Sequence, residues 1–446
     1  MKFLDELAAR RRFGMKPGLE TIRSLCAALG DPQLKFKAIH VAGTNGKGAV
    51  CAILDAALRA ASRKENGERS KEKGDECRVG RYTSPHLVRL NERFFLDGAP
   101  VDDATLEHIA QKVEDSILHL RSTPTPTFFE ALTAVAFELY AEAGVDYAIL
   151  ECGLGGRLDA TNVCDPALSV ITRIGLDHCD WLGDTVEKIA VEKAGIVKAG
   201  VPVVLGRNEP EVVEVIRRRA AEVGAPFHYA PDLADESEIP ADFSLPGAFN
   251  RENAITAIAS LKVLAAKGYA PAKPPRSGRS SAAQRGAKGF LVGFGNVIWP
   301  GRFQKVGNFI VDGAHNPPAA KALVSALAVD ATSSSRRAFN LICGFCGDKD
   351  VGEVLSILAP IVKKGYAVKT NNPRSLSAED TAAKMRAAGI DAIPCPSLLA
   401  AIEQSEHSNI RTLICGSLFL AGEALVELGA YPWGTPRFDL SEKLRD

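Results

Sequence analysis

The 446-residue chain has no excess of charge of either sign, since Lys and Arg total 54 and Asp and Glu total 54. Without a net field it does not attract polyanions in bulk, so nucleic acid and anionic membrane surfaces are not expected partners. No apolar run reaches membrane-spanning length, because Asp, Glu, Lys or Arg interrupts every candidate. The start, Met1-Lys2-Phe3-Leu4-Asp5-Glu6-Leu7, offers neither the apolar core of an export signal nor the acid-poor character of an import signal. Cysteine is thinly scattered, ten in all, which excludes a small disulfide framework and fits a reducing compartment, so a cytoplasmic protein is expected. Cys26, Cys51 and Cys415 lie in apolar runs and read as core thiols. Cys343-Gly344-Phe345-Cys346 has redox spacing, but no second CxxC accompanies it and Cys343 ends an apolar strand, so core thiols are again the better reading. No short-period repeat and no exposed apolar stripe stand out, and a monomer is expected.

What remains is a globular composition, 46% hydrophobic and 24% charged, in a chain longer than one core usually organises. Strands are predicted at 37–42, 146–151, 168–174 and 201–206, with helical patterns between them, and this alternation implies a mainly parallel sheet covered by helices. From Phe309 the alternation restarts, with strands in FIVDG, FNLICG, YAVKT and TLICGS and helices over 317–328 and 378–388. The expected fold class is therefore α/β: an N-terminal P-loop-type domain over 1–298 and a smaller, Rossmann-like C-terminal domain over 299–446. The boundary is placed near Asn296 to Pro300. The polar segments 62–76 and 271–288 lack apolar periodicity and read as flexible surface insertions.

The most informative stretch is His40-Val41-Ala42-Gly43-Thr44-Asn45-Gly46-Lys47-Gly48-Ala49-Val50. An apolar strand delivers a Gly-rich turn with one lysine onto an apolar helix expected over 50–61. Such a turn aims backbone N–H groups and a helix N-terminus at an anion, glycines permit close approach, and Lys47 adds a full charge. The strict P-loop pattern is not met, because Val41 stands where it requires Gly and Gly48 where it requires Ser or Thr. Further motifs follow: Tyr82-Thr83-Ser84-Pro85-His86-Leu87, Thr127-Phe128-Phe129-Glu130-Ala131-Leu132-Thr133, Glu151-Cys152-Gly153-Leu154-Gly155-Gly156-Arg157-Leu158-Asp159-Ala160-Thr161-Asn162 and Ile174-Gly175-Leu176-Asp177-His178. Glu192-Lys193-Ala194-Gly195-Ile196, Trp299-Pro300-Gly301-Arg302, Asp312-Gly313-Ala314-His315-Asn316-Pro317 and Gly416-Ser417-Leu418-Phe419-Leu420-Ala421-Gly422 complete the series. In their order the motifs resemble those of the folylpolyglutamate synthase and dihydrofolate synthase family, ATP-dependent amide ligases related to the cell-wall peptide ligases.

That resemblance implies an enzyme that adds L-glutamate to the carboxylate of a folate, of dihydropteroate or of both. ATP and Mg²⁺ are the implied cofactors, and an acyl phosphate is the implied intermediate. Gly43, Thr44, Asn45, Gly46, Lys47 and Gly48 would cradle the phosphates, with Asn253, Arg302 and Asp312 also at the nucleotide. Ser84 and Glu151 match the ligands of the Mg²⁺ that bridges the phosphates. His178 matches a ligand of a second Mg²⁺, and Lys193 matches a lysine that becomes carbamylated to complete that site; His315 is implied to help the C-terminal domain close over the reaction. Gly18, Thr127, Phe128, Phe129, Glu130, Leu158, Asp159 and Ala160 match the stretches that hold the pterin-bearing substrate. Read from the residues alone, Phe128 and Phe129 are equally stacking rings or core aromatics at a helix start, and His40, inside an apolar strand, is a core histidine.

Three positions depart from the family pattern. Ala49 stands where Ser or Thr is usual, Phe249-Asn250 replaces His-Gln, and Lys16-Pro17 precedes Gly18 where bifunctional relatives can carry an acid. A cell-wall precursor ligase is the alternative, but only 42 residues precede Gly43, too few for the extra N-terminal domain such enzymes usually carry. A nucleotide-binding protein without ligase activity is the other alternative, and its nucleotide hydrolysis would need no amino acid.

Overall fold

The computed structural model describes residues 18–61, 77–120, 125–268, 289–330, 338–347, 350–408 and 410–434. The expected insertions 62–76 and 271–288, and the Lys16-Pro17 departure, lie outside the described residues. The chain divides into two compact units, one within Met1–His86, Leu90–Ser244 and Asn250–Ile298, the other within Leu87–Arg89, Leu245–Phe249 and Trp299–Asp446.

The first unit is built on an eight-stranded sheet: β1 (Lys37–Ala42), β2 (Val79–Tyr82), β3 (Phe94–Leu96), β4 (Ala99–Pro100), β5 (Tyr147–Glu151), β6 (Pro166–Ile171), β7 (Val203–Leu205) and β8 (Phe227–Tyr229). Their order is β4-β3-β2-β5-β1-β6-β7-β8. The run from β2 to β8 across the sheet is parallel, and β3 and β4 add an antiparallel edge. Central strands of a parallel sheet are covered on both faces and so are continuously apolar. Accordingly Ile39, Val41, Ala148, Ile149, Leu168 and Val170 are fully buried, each large side chain contributing about 1.5–3 kcal/mol.

The helices have local reasons to begin and end. Thr127 and Glu130 form a reciprocal capping box for the helix Phe128–Ala143, and Gly144 ends it in the left-handed conformation. Thr185 caps the helix Val186–Ala194 by accepting from the Lys188 N–H. The helix after the Gly-rich turn spans Lys47–Ala61, starting three residues before the apolar periodicity suggests.

The second unit carries a six-stranded sheet of β9 (Gln304–Val306), β10 (Phe309–Val311), β11 (Phe339–Cys343), β12 (Val362–Ala367), β13 (Ala392–Pro394) and β14 (Thr412–Cys415). The order is β13-β12-β11-β14-β10-β9, parallel except for β9. Two short segments that a linear division at residue 299 leaves out belong to this unit. Leu87 and Val88 are buried in one of its cores, and Phe249 packs on another.

Candidate active site

In an open α/β sheet, ligands lie beyond the carboxyl ends of the strands, where the strand order changes direction. In the first unit β2, β5, β1 and β6 are adjacent and parallel, and they end at Tyr82, Glu151, Ala42 and Ile171. Four of the sequence motifs therefore leave the sheet side by side.

The turn after β1 is bound tightly to the segment after β6. The N–H groups of Thr44 and Asn45 donate to the Arg173 carbonyl at 2.9 and 3.2 Å. The Thr44 hydroxyl donates to the Gly175 carbonyl at 3.0 Å and accepts from its N–H at 3.1 Å, while Thr172 Oγ1 donates to the Asn45 carbonyl at 2.8 Å. Residues 172–174, expected to continue the strand, leave it to make these bonds. Gly43 (φ 150°) and Gly46 (φ 88°) are needed there, because a Cβ would lie 1.9 Å from Thr172 Oγ1 at the first and 2.3 Å from Asn253 Oδ1 at the second. The Asn253 side chain thus covers the turn, and its Nδ2 donates to Asn250 Oδ1 at 3.3 Å. Ala49 is buried one turn on, so hydroxyl chemistry is absent at that position.

Two lysines converge on one carbonyl. Lys47 Nζ donates to the Gly43 and Thr44 oxygens at 3.0 and 3.2 Å, and Lys193 Nζ donates to the Gly43 oxygen at 2.7 Å. Lys193 is 4% exposed. Burial, and then the charge of Lys47, bring its amine from 10.5 down to about 7. This lysine is not on a helix surface.

Glu151 ends β5 with 4% exposure, and its Oε2 accepts from the Ser84 N–H at 3.0 Å. A carboxylate and a hydroxyl-bearing residue joined in this way are hard oxygen donors that fit Mg²⁺, which takes few protein ligands and completes its shell with water and phosphate. His178 adopts φ 52°, keeps its side chain 45% exposed and has Nε2 3.9 Å from Asp177 Oδ1. Among the described residues no three His, Cys, Asp or Glu side chains are grouped to hold a metal ion. An amine at Lys193 is not a donor that suits Mg²⁺, whereas a carbamate on that nitrogen is.

The loop after Glu151 is held by Asp159. Its Oδ2 accepts from the Gly153 and Leu154 N–H groups at 2.8 and 2.9 Å, and its Oδ1 accepts from the N–H and hydroxyl of Thr161. Burial pushes the Asp159 carboxyl up, against those hydrogen bonds. Thr161 Oγ1 lies 2.8 Å from Nε2 of fully buried His40, whose ring burial drives down to about 3, so His40 is the neutral core histidine the strand pattern suggests. Phe128 is 7% exposed and belongs to the core, with the Arg93 guanidinium 5.5 Å from its ring centre. Phe129 is partly exposed, and its ring covers Gly153, where a Cβ would come within 2.6 Å of it. Thr127 and Glu130 bond each other in the capping box, Ala160 is buried, and Gly18 and Leu158 are partly exposed.

In the second unit Asp312 leaves β10, followed by His315, whose Nδ1 lies 2.7 Å from the Gly313 carbonyl. Arg302 lies on the turn before β9, its guanidinium 5.8 Å from the Trp299 ring centre. Burial raises the Asp312 carboxyl, and the charge of Arg302 opposes that shift.

Two supports were not foreseen. Asn208 accepts from the Ile174 N–H at 2.7 Å and donates to the Thr172 and Gly206 carbonyls, so it fixes the segment on which the phosphate loop rests. Thr172 seals Gly43 from the other side. The only signal for Asn208 is its place just beyond a predicted strand end, and Thr172, inside the predicted strand 168–174, carries none. All ten cysteines are free thiols; Cys343 and Cys346 are buried, and burial pushes the Cys343 thiol up. Among the described residues no helix is long and apolar enough to cross a membrane.

Residues 301–418 match the family described as "Mur ligase, glutamate ligase domain". The chain is 32% identical to the dihydrofolate synthase/folylpolyglutamate synthase of Bacillus subtilis (strain 168), over 93% of this chain and 95% of that protein. It is similar to the structure of Escherichia coli FolC in complex with DHPP and ADP, with TM-score 0.77 and 29% identity over 96% of this chain and 98% of that one. It is also similar to a bifunctional folylpolyglutamate synthase/dihydrofolate synthase with Mn, AMPPNP and L-glutamate bound, with TM-score 0.73 and 31% identity over 93% and 95% of the two chains.

Proposed function

Because the chain belongs to the dihydrofolate synthase/folylpolyglutamate synthase family, we propose that it joins L-glutamate to the carboxylate of dihydropteroate, of a folate or of both, at the expense of ATP. The observation that carries this reading is the meeting, at one sheet end, of the glycine-rich turn, the Ser84–Glu151 pair and the buried amine of Lys193. Amide formation from a carboxylate needs an activated acyl group. Transfer of the γ-phosphoryl group of ATP to a carboxylate oxygen gives an acyl phosphate and ADP. The glutamate amine then adds to the acyl carbon, the C–O bond to phosphate breaks, and the amine loses a proton as phosphate departs.

Most of this is positioning and charge neutralisation. The N–H groups of Gly43 to Gly48 and the Lys47 ammonium hold the triphosphate, with Lys47 exchanging the carbonyls of Gly43 and Thr44 for phosphate oxygens. Ser84 and Glu151 would hold Mg²⁺, which supplies positive charge at the phosphates. Lys193 has the neutral fraction near pH 7 that lets its nitrogen add to CO₂, releasing a proton and leaving a carbamate; that group and His178 would hold a second Mg²⁺. We assign Asn253, Arg302 and Asp312 to nucleotide binding and His315 to the same reaction. Gly18, Thr127, Phe128, Phe129, Glu130, Leu158, Asp159 and Ala160 are assigned to the acceptor. A monomer in the reducing cytoplasm suits the ten free thiols.

The test is ADP release by the purified protein with Mg²⁺-ATP and glutamate, with dihydropteroate and tetrahydrofolate as separate acceptors. Glutamate-dependent release with one names the single activity, and release with both establishes two. ADP release that ignores glutamate, or none with either acceptor, would overturn the assignment.

A further inference from the structure

Strand β1 carries a cost that its apolar positions do not. His40 is fully buried between Ile39 and Val41, burial keeps its ring neutral, and Nδ1 has no hydrogen-bond partner among the described residues. A buried polar atom left unpaired costs stability, and an aliphatic side chain of similar volume would avoid that cost. What the imidazole supplies in return lies on its other nitrogen.

Nε2 stands 2.8 Å from Thr161 Oγ1 and 3.1 Å from Cys152 Sγ, both in buried residues. The proton directions follow from Asp159. Oδ2 of that carboxylate accepts from the Gly153 and Leu154 N–H groups, and Oδ1 accepts from the N–H and the hydroxyl of Thr161. Four donors face its two oxygens, so the side chain is an acceptor throughout. The Thr161 hydroxyl has one proton and spends it there, so toward His40 it accepts. A neutral imidazole has one N–H, and here it is on Nε2. The order is His40 Nε2–H to Thr161 Oγ1–H to Asp159 Oδ1, and from Asp159 Oδ2 to the backbone after β5. Asp159 also caps the short turn Ala160–Val163. The Cys152 N–H donates to the Val41 carbonyl at 2.9 Å, so β1 holds the start of the same loop.

We propose that His40 and Thr161 are positioning residues for the acceptor, a buried relay from β1 that sets Asp159 and, through it, the loop from Gly153 to Ala160. Two backbone N–H groups hold one oxygen of Asp159, and the relay fixes the direction of the other. A loop ordered in advance gives up less entropy when its ligand binds, so the relay should be felt as acceptor affinity. The phosphate turn, which leaves the same strand at Gly43, is held instead by Thr172 and the segment after β6. Loss of the relay should therefore spare the nucleotide. This rests on the assignment of Leu158, Asp159 and Ala160 to the acceptor.

Two pairs of variants test it. Thr161→Val and His40→Leu keep the volume and remove the hydroxyl and the Nε2–H; Thr161→Ser and His40→Gln keep a hydroxyl and an N–H. KM for ATP, KM for the acceptor that the wild type uses, and amide hydrogen exchange at Gly153 and Leu154 are measured on each, with folding checked by thermal unfolding. The relay predicts that Thr161→Val and His40→Leu raise the acceptor KM by about 10–100-fold and speed exchange by about tenfold or more, the range for losing one hydrogen bond to a charged group. KM for ATP should stay within about threefold, as should every quantity in Thr161→Ser and His40→Gln. On the Thr161→Val background, His40→Leu should add less than about threefold, because the relay is already broken. An acceptor KM that does not move, an equal rise for ATP, or equal losses in the conservative variants would each overturn the proposal. If His40→Leu does not fold, the Thr161 pair decides alone. A wild-type protein without glutamate-dependent turnover would strike the ligase reading, while exchange at Gly153 and Leu154 still decides the relay.

Discussion

Lys193 concentrates the residue-scale energetics of the site. Its amine is brought from 10.5 to about 7 by burial and by Lys47. Between those two values the unfolded chain keeps a proton that the folded chain has released, so stability rises with pH through that window. Below about pH 7 both states are protonated and the whole cost of burying the charge is present. Lys193→Met, which keeps the volume without the charge, should therefore raise the thermal midpoint at pH 6 in CO₂-free buffer and do so far less at pH 10. Glutamate-dependent ADP release should fall by about 10²–10³-fold, the range for removing one preorganised charge stabiliser. Calorimetry at the two pH values checks the first part; a lowered midpoint at pH 6 would contradict it. Residue identity was legible where chain periodicity decides burial, as at His40, and not where tertiary packing does. Nothing in Thr127-Phe128-Phe129-Glu130 tells which ring faces the core, because the choice depends on Arg93 and Gly153, both distant in sequence.

At the scale of elements, the phosphate turn depends on space as much as on backbone conformation. Gly43 and Gly200 both have positive φ, but a Cβ at Gly43 would collide with Thr172 whereas one at Gly200 meets nothing within 4 Å. Gly43→Ala should cost about 1–3 kcal/mol at the turn and weaken ADP binding by about 10-fold or more, and Gly200→Ala should leave binding within about twofold. Titration calorimetry with ADP decides it; equal affinities in the two variants would remove the packing argument. The strands of the central sheet were legible as apolar runs because both faces are covered. Residues 172–174 were overread because Thr172 and Arg173 spend their hydrogen bonds on the Gly-rich turn, which no local pattern reveals. The stretch Val79–Tyr82 escaped notice because buried Arg81, paired with Asp55, breaks its apolar pattern. β12 begins at Val362, ahead of the YAVKT run, because Lys363 and Lys364 interrupt its apolar character.

Across the whole molecule, two α/β sheets follow one another in the chain, and that order was legible from the alternation of strand and helix restarting at Phe309. Leu87–Arg89 and Leu245–Phe249 join the second unit by burying Leu87 and Val88 and packing the partly buried Phe249, contacts between residues distant in sequence that leave no local mark. Both units carry side chains assigned to one reaction, and the account stands or falls on whether that reaction passes through an acyl phosphate. The direct measurement uses an acceptor whose carboxylate carries oxygen-18, with ATP and glutamate, followed by mass spectrometry of the inorganic phosphate. Breaking of the acyl C–O bond by the glutamate amine predicts one labelled oxygen in the phosphate for each ADP formed. Phosphate released without label would contradict it and leave a nucleotide hydrolase in place of the ligase.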